Sequence, residues 1–352
     1  MDSYGEHIFL QAVAEQCGYH YPIETEKINL MEEVSMVEKV NEALEELKVD
    51  KNVDLFEELI RQQDILEPRF ADVALEQGIF RPVTLYESAS KQVRDKLIEM
   101  LESSEWSKRE VNGILMALAQ IGDDVVVEAF KKWEEKPPAW REKLYVGPAV
   151  YALEGGWSIE DGRKKELTYG VSFALCQQEN GESPENVLGG PTEDRCPHCG
   201  SKYVDIMVID GTEPRLSFLG IDGKIKIKTC KACLPYGDFI FCKYKENEES
   251  KVICHEQGDG DFIEDEDLEW GAEKCFILSE KPVAKHYCSE WEGSAIGGVP
   301  TYVNDANYAI CPECGEHMKH LAQLGDKYTG YGNIYVQICS KCKTAATTYQ
   351  QS

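Results

Sequence analysis

The chain has 352 residues, of which 42% are hydrophobic and 29% charged, enough apolar material for a packed core. At roughly 100–200 residues per domain, the length predicts two or three domains. Acidic residues outnumber basic ones 64 to 37, and the net charge of −27 argues against non-specific binding to nucleic acid or to an anionic membrane, both of which need a cationic face. No apolar run approaches the ~18 residues of a membrane-spanning helix. The opening MDSYGEHIFLQAVAEQ has neither the basic start nor the long apolar core of a signal peptide, so the expected compartment is the cytosol.

Residues 1–178 are predicted to be an all-α domain. Leu30, Val34, Val37, Val40, Leu44 and Leu47 recur every three or four positions, as on one face of a helix. Ser107 and Glu110 form a capping box ahead of VNGILMALAQI, and Gly122 supplies a left-handed stop. Asp123 then starts VVVEAFKKWEE, which Pro137-Pro138 ends. A further helix is expected over AWREKLYVGPAVYALE, up to Gly155-Gly156, and another from about Ser158. The stretch ALAQIGDDVVVEAFKKW resembles a HEAT-type repeat, which implies stacked helical hairpins with a groove for a partner. A compact irregular bundle is the alternative.

Residues 179–195, rich in Gly, Pro, Asn and Glu, read as a linker. From 196 to 352 the pattern changes to short β-branched and aromatic runs, and an antiparallel β domain is predicted. KYVDIMVID alternates. LSFLGI and KIKIKTC are expected as strands around an Asp222-Gly223 turn, followed by GDFIFCKYK, SKVICHE, KCFILSE, NIYVQICSKC and AATTYQ. The run from Glu256 to Glu273 is acidic without Lys or Arg and reads as a solvated loop or a contact for a basic partner. Lys224, Lys226 and Lys228 alternate on one strand and form the one basic patch.

The cysteines carry the most chemistry. Of 14, eight form Cys-x-x-Cys pairs: Cys196/Cys199, Cys230/Cys233, Cys311/Cys314 and Cys339/Cys342. In a reducing compartment such pairs are metal ligands rather than disulfides. Two intervening residues let both thiolates reach one ion while backbone amides donate to sulfur, and the glycine after Cys199 and after Cys314 permits the turn. Two knuckles give four thiolates, the donor set of tetrahedral Zn²⁺. Two structural zinc ions are therefore expected, in two zinc ribbons. A closed Cys₄ site keeps no open position for catalysis. Cys17, Cys176, Cys242, Cys254, Cys275 and Cys288 read as small buried hydrophobes.

The two halves of the β domain repeat one order. Leu188-Gly189-Gly190-Pro191 precedes Cys196-Pro197-His198-Cys199-Gly200 and then Cys230-Lys231-Ala232-Cys233. Ile296-Gly297-Gly298-Val299-Pro300 precedes Cys311-Pro312-Glu313-Cys314-Gly315 and then Cys339-Ser340-Lys341-Cys342. With Met318, Leu321-Ala322-Gln323-Leu324, Tyr335-Val336-Gln337-Ile338 and Tyr349-Gln350, residues 285–350 resemble the YwqG-like bacterial family of unknown function. That family is itself similar to the eukaryotic programmed cell death protein 2. Residues 188–245 fit as a weaker first repeat, so the resemblance implies a pseudo-duplicated β domain. The chain departs from the family in its preceding helical domain and in Thr301-Tyr302, where Trp often follows the Gly-Gly-x-Pro turn. The eukaryotic relatives look like chaperones for a ribosomal protein, and the bacterial ones like immunity-type proteins.

The expected function is therefore non-enzymatic: a zinc-binding protein that holds a basic protein partner. The resemblance and the closed ligand sets favour it over an enzyme with an unrecognised active site and over a nucleic-acid-binding zinc ribbon. His198 and His317 stand close enough to the knuckles to replace a cysteine or to donate to a thiolate, while an H-E-x-x-H motif, a phosphate loop, a dinucleotide fingerprint and a nucleophile elbow are absent. The oligomeric state is left open.

Overall fold

The structure, a computed structural model, describes residues 36–103, 106–178, 186–255, 275–289, 293–329 and 332–351. It divides into two compact units, with the boundary between Leu167 and Thr168.

The first unit is mainly helical: α1 (Met36–Val49), α2 (Asp54–Gln63), α3 (Arg69–Gln77), α4 (Lys91–Ser103), α5 (Lys108–Ile121) and α6 (Asp124–Glu135). The predicted signals do their work where the sequence places them. The Ser107 hydroxyl accepts from the Glu110 amide, and the Glu110 carboxylate accepts from the Ser107 amide at 2.9 Å, which satisfies two orphan donors of α5. Gly122 ends α5 at φ +52°, and the Asp123 carboxylate accepts from the Val126 amide to start α6. Val111, Ile114, Leu115 and Leu118 of α5 are wholly buried at helical spacing, each contributing about 1.5–3 kcal/mol. Buried Arg94 of α4 bonds to both Asp95 and Asp123, tying that helix to the α5–α6 turn.

Two helical expectations fail. AWREKLYVGPAVYALE is not one helix: it breaks into a 3₁₀ turn at Ala139–Lys143, a short α7 (Pro148–Tyr151) and a second 3₁₀ turn at Ala152–Gly155. Pro148 has no amide to donate, so the ladder cannot run through it. Residues after Gly156 form a hairpin, β1 (Trp157–Glu160) with β2 (Arg163–Glu166), in place of the helix expected from Ser158. Trp157 is buried, and its indole N–H donates to the Ala119 carbonyl at 2.7 Å.

The second unit begins ahead of the predicted linker, because residues 172–178 form a strand of its main sheet rather than the end of the helical domain. That sheet is antiparallel, in the order β8-β7-β13-β12-β11-β10-β3-β9. Its strands are β3 (Ser172–Gln178), β7 (Ile240–Lys243), β8 (Lys251–His255), β9 (Cys275–Leu278), β10 (Ala295–Gly297), β11 (Lys319–Leu324), β12 (Asn333–Cys339) and β13 (Thr344–Gln350). A second sheet, β4-β5-β6, consists of β4 (Pro191–Arg195), β5 (Lys202–Asp210) and β6 (Lys224–Thr229). Ile206, Ile209, Ile225 and Ile227 of this sheet share one core with Leu321, Leu324, Ile334, Val336 and Ile338 of the larger one.

LSFLGI, expected as a strand, is instead largely a 3₁₀ helix at Pro214–Leu219. Pro214 starts it, Leu216 and Leu219 are buried three apart, and Gly220 stops it at φ +64°. Pro191–Arg195, the last part of the stretch read as linker, is instead β4, held against β5. Residues 179–185 of that linker and the acidic run from Glu256 to Glu273 lie outside the described residues.

The main sheet buries polar side chains on one face, and an irregular segment lies across them. Gln323 accepts from the Thr301 amide and donates to the Ser289 carbonyl, both at 2.9 Å. Gln337 accepts from the Ala309 amide and donates to the Asn307 carbonyl, both at 2.7 Å. Gln350 accepts from the Asn304 amide and donates to the Asp305 carbonyl. Between them the Tyr335 hydroxyl donates to the Thr301 carbonyl and accepts from the Val303 amide. Backbone groups that no ladder pairs are thus satisfied by side chains, as burial requires.

Candidate metal centres

The eight predicted ligand cysteines assemble into two groups of four, and each group draws on its own hairpin. Cys196, Cys199, Cys230 and Cys233 form one group, and Cys311, Cys314, Cys339 and Cys342 the other; within each, the sulfur atoms all lie within 4.8 Å of one another. The first group sits where β5 leaves one knuckle and β6 returns to the other. The second is built in the same way by β11 and β12.

The two leading knuckles share one backbone pattern. The Cys196 amide donates to the Ser201 carbonyl and the Gly200 amide to the Cys196 carbonyl, both at 2.9 Å. In the second, the Cys311 amide donates to the Glu316 carbonyl at 2.8 Å and the Gly315 amide to the Cys311 carbonyl at 2.9 Å. Gly200 and Gly315 both take positive φ, +78° and +75°, as the turn needs. The likeness stops upstream. Gly297 and Gly298 have φ of +81° and +70°, whereas Gly189 and Gly190 are not in the left-handed region.

The sulfur geometry fits a tetrahedral ion. A tetrahedron with arms of ~2.3 Å has edges of about 3.8 Å. The Cys196–Cys233 and Cys314–Cys339 sulfurs are 3.8 Å apart, and the Cys199–Cys230 pair is 3.4 Å apart. The donor set, four soft thiolates with no carboxylate or imidazole in either group, suits Zn²⁺. His198 is exposed beside the first group and His317 half-buried beside the second; neither belongs to a ligand group.

In each group the surroundings hold one thiol below its ordinary value. Burial pushes Cys199 up, but the Ser201 amide and hydroxyl and the Cys230 and Cys233 thiols outweigh it, leaving Cys199 below its ordinary value. Cys311 behaves alike: burial opposes the amides of Cys314 and Glu313 and the Cys339 and Cys314 thiols, which prevail. Burial drives Cys230 and Cys339 upward, and Cys233 to about 12. Four such thiols held together gain most from a cation, which removes the protons outright.

The surroundings of the groups differ. Cys196, Cys230 and Cys233 belong to the main core of the unit. Cys311 and Cys339 belong to a satellite cluster with Ala309, Met318 and Ala346, flanked by Phe239 and Phe241. Cys242, Cys275 and Cys288 are buried, as expected of them. Cys176 is buried too, but it is disulfide-bonded rather than a free thiol packed as a small hydrophobe. Cys17 and the side chain of Cys254 lie outside the described residues.

The lysine strand does not form a free cationic patch. Lys224 lies 3.8 Å from Asp210, Lys226 pairs with Glu249 and lies 3.6 Å from Asp205, and Lys228 pairs with Asp194 at 3.0 Å. An open cavity of about 760 Å³ beside Lys224 and Lys226 is lined as much by Asp210, Glu248 and Glu249 as by the lysines. A phosphate backbone would meet compensated charge there. Among the described residues, no helix is long and apolar enough to cross a membrane.

No family model matches the chain, and no solved structure matches it. An uncharacterized protein, YpfL, of Salmonella typhimurium strain LT2 is 31% identical over 286 residues, an alignment that takes in 76% of this chain and 64% of that protein. The chain thus spans less than two thirds of the relative's length. The YwqG-like resemblance rests on its motif residues rather than on a family match.

Proposed function

We propose that this chain is a non-enzymatic, zinc-stabilised interaction protein of the cytosol that holds a basic protein partner, as a chaperone or an immunity-type binder. The observation that carries the reading is the charge: the chain is net −27, and its one lysine-rich strand face is itself neutralised by acids. Such a surface attracts cationic protein and repels nucleic acid. The thiolate groups support a structural use of metal, because four protein ligands leave no position for a substrate. The YwqG-like motifs and the HEAT-like helical hairpin around Gly122 point the same way, by analogy with partner-binding proteins.

The test is capture of partners from native cells on the tagged full chain at low and moderate salt, read by mass spectrometry, then titration of the purified partner. The expected result is one basic protein whose affinity falls as salt rises. A metal-loaded, folded chain that retains no basic protein at either salt overturns the reading.

A further inference from the structure

Each thiolate group joins two knuckles that are distant in sequence, so the segment entering the first must be held against the strand entering the second. In both groups a side chain two residues ahead of the second knuckle makes that tie. Lys228 stands two before Cys230, and Gln337 two before Cys339. Alternate residues of a strand share a face, so each tying residue lies on the side of the ligand that follows it.

The targets match as well. Lys228 reaches across β5 to β4 and donates to Asp194, two residues ahead of Cys196, at 3.0 Å. Gln337 takes the amide of Ala309, two residues ahead of Cys311, at 2.7 Å and gives its own N–H to the Asn307 carbonyl. The same two positions are therefore cross-linked in both hairpins, by an ion pair in one and by a neutral amide in the other. The Lys228 side chain is 3% exposed and that of Asp194 71%, so the ammonium is committed to this contact while the carboxylate can be altered from the surface.

We propose that the Lys228–Asp194 pair and the Gln337 amide are positioning braces, each setting how firmly its own thiolate group retains a metal ion, independently of the other. The inference rests on the reading of both groups as metal sites. Groups that orient ligands from outside the coordination shell are worth about 10–100-fold in metal affinity.

The test uses the full chain loaded with zinc and then exposed to a chelator. Thiols are trapped with N-ethylmaleimide as they are freed, and peptide mass spectrometry follows the eight ligand cysteines separately. Asp194→Asn should speed modification of Cys196, Cys199, Cys230 and Cys233 about 10-fold or more. Cys311, Cys314, Cys339 and Cys342 should be unaffected, and Asp194→Glu should restore the parent rate. Gln337→Met should show the reverse pattern. Asp194 is a surface residue, so its variants keep the test informative even if Gln337→Met fails to fold. Zinc content is measured first: a chain that binds none overturns the metal reading and the braces with it. Two bound ions with unchanged rates in Asp194→Asn, or equal acceleration in both groups, overturn the braces alone.

Discussion

The helical unit and the β unit solve the same problem by opposite means. In the helical unit, residues close in sequence make the structure: the Ser107–Glu110 box, the Gly122 stop and the Asp123 cap act within four residues, and α5 buries its stripe at helical spacing. In the β unit, β3 at residue 172 shares a sheet with β13 ending at 350, and the thiolate groups span more than thirty residues and nearly as many again. Loops of that length must close before any contact is gained. A chain stabilised locally needs no cross-link, whereas one assembled from distant pieces benefits most from a four-point metal tie.

The largest expected effect breaks that tie. Cys311→Ser should leave one bound zinc instead of two, by atomic absorption. Structural zinc binding is worth ~10–16 kcal/mol in small domains, so hydrogen exchange across β11 and β12 should rise to near-unprotected rates. Exchange in α5 and α6 should stay at parent values. A variant that melts unchanged with both ions bound would show that Cys311 is no ligand. The converse probe is Leu115→Ala, which hollows the helical core. It should cost about 2–5 kcal/mol in the helical transition, read by denaturant titration, with zinc content untouched.

A smaller effect should be confined to the β unit and set by pH. His320 of β11 is fully buried, its Nδ1 has no hydrogen-bond partner, and desolvation pushes its pKa from 6.5 to about 3. The unfolded chain therefore binds a proton that the folded one refuses. Stability is whole above pH 6.5 and declines as the pH falls towards 3, by about 1.4 kcal/mol per unit, or about 2 kcal/mol by pH 5. His320→Asn should flatten that slope in stability measured against pH. An unchanged slope would show that His320 does not carry the acid sensitivity.

Features with a local cause were legible beforehand: the capping box, the Gly122 stop, the knuckles and the strands over 202–210, 333–339 and 344–350. Sequence and structure part where a local pattern fits two structures. Leu216 and Leu219 suit a short strand as well as a 3₁₀ turn, and the run from Ser158 suits a helix start as well as the strand of the β1–β2 hairpin. Nothing around Gln323, Gln337 and Gln350 marks them as buried, since glutamine seldom is. Their partners are backbone groups of residues 289–309, which no window around each glutamine contains. The grouping of the cysteines by hairpin was likewise invisible, since spacing alone allows either pairing.

The glutamine-pinned segment changes how the β unit opens. An irregular stretch usually exchanges its amide hydrogens quickly and frays first. Here the amides of Thr301, Asn304 and Ala309 are bound to side chains rooted in β11, β12 and β13. Lifting the segment would strand three carboxamides in a buried sheet face, a cost of order 1–3 kcal/mol each. Segment, sheet face and second knuckle therefore form a single foldon, and a stretch without regular secondary structure should be among the slowest-exchanging parts of the molecule.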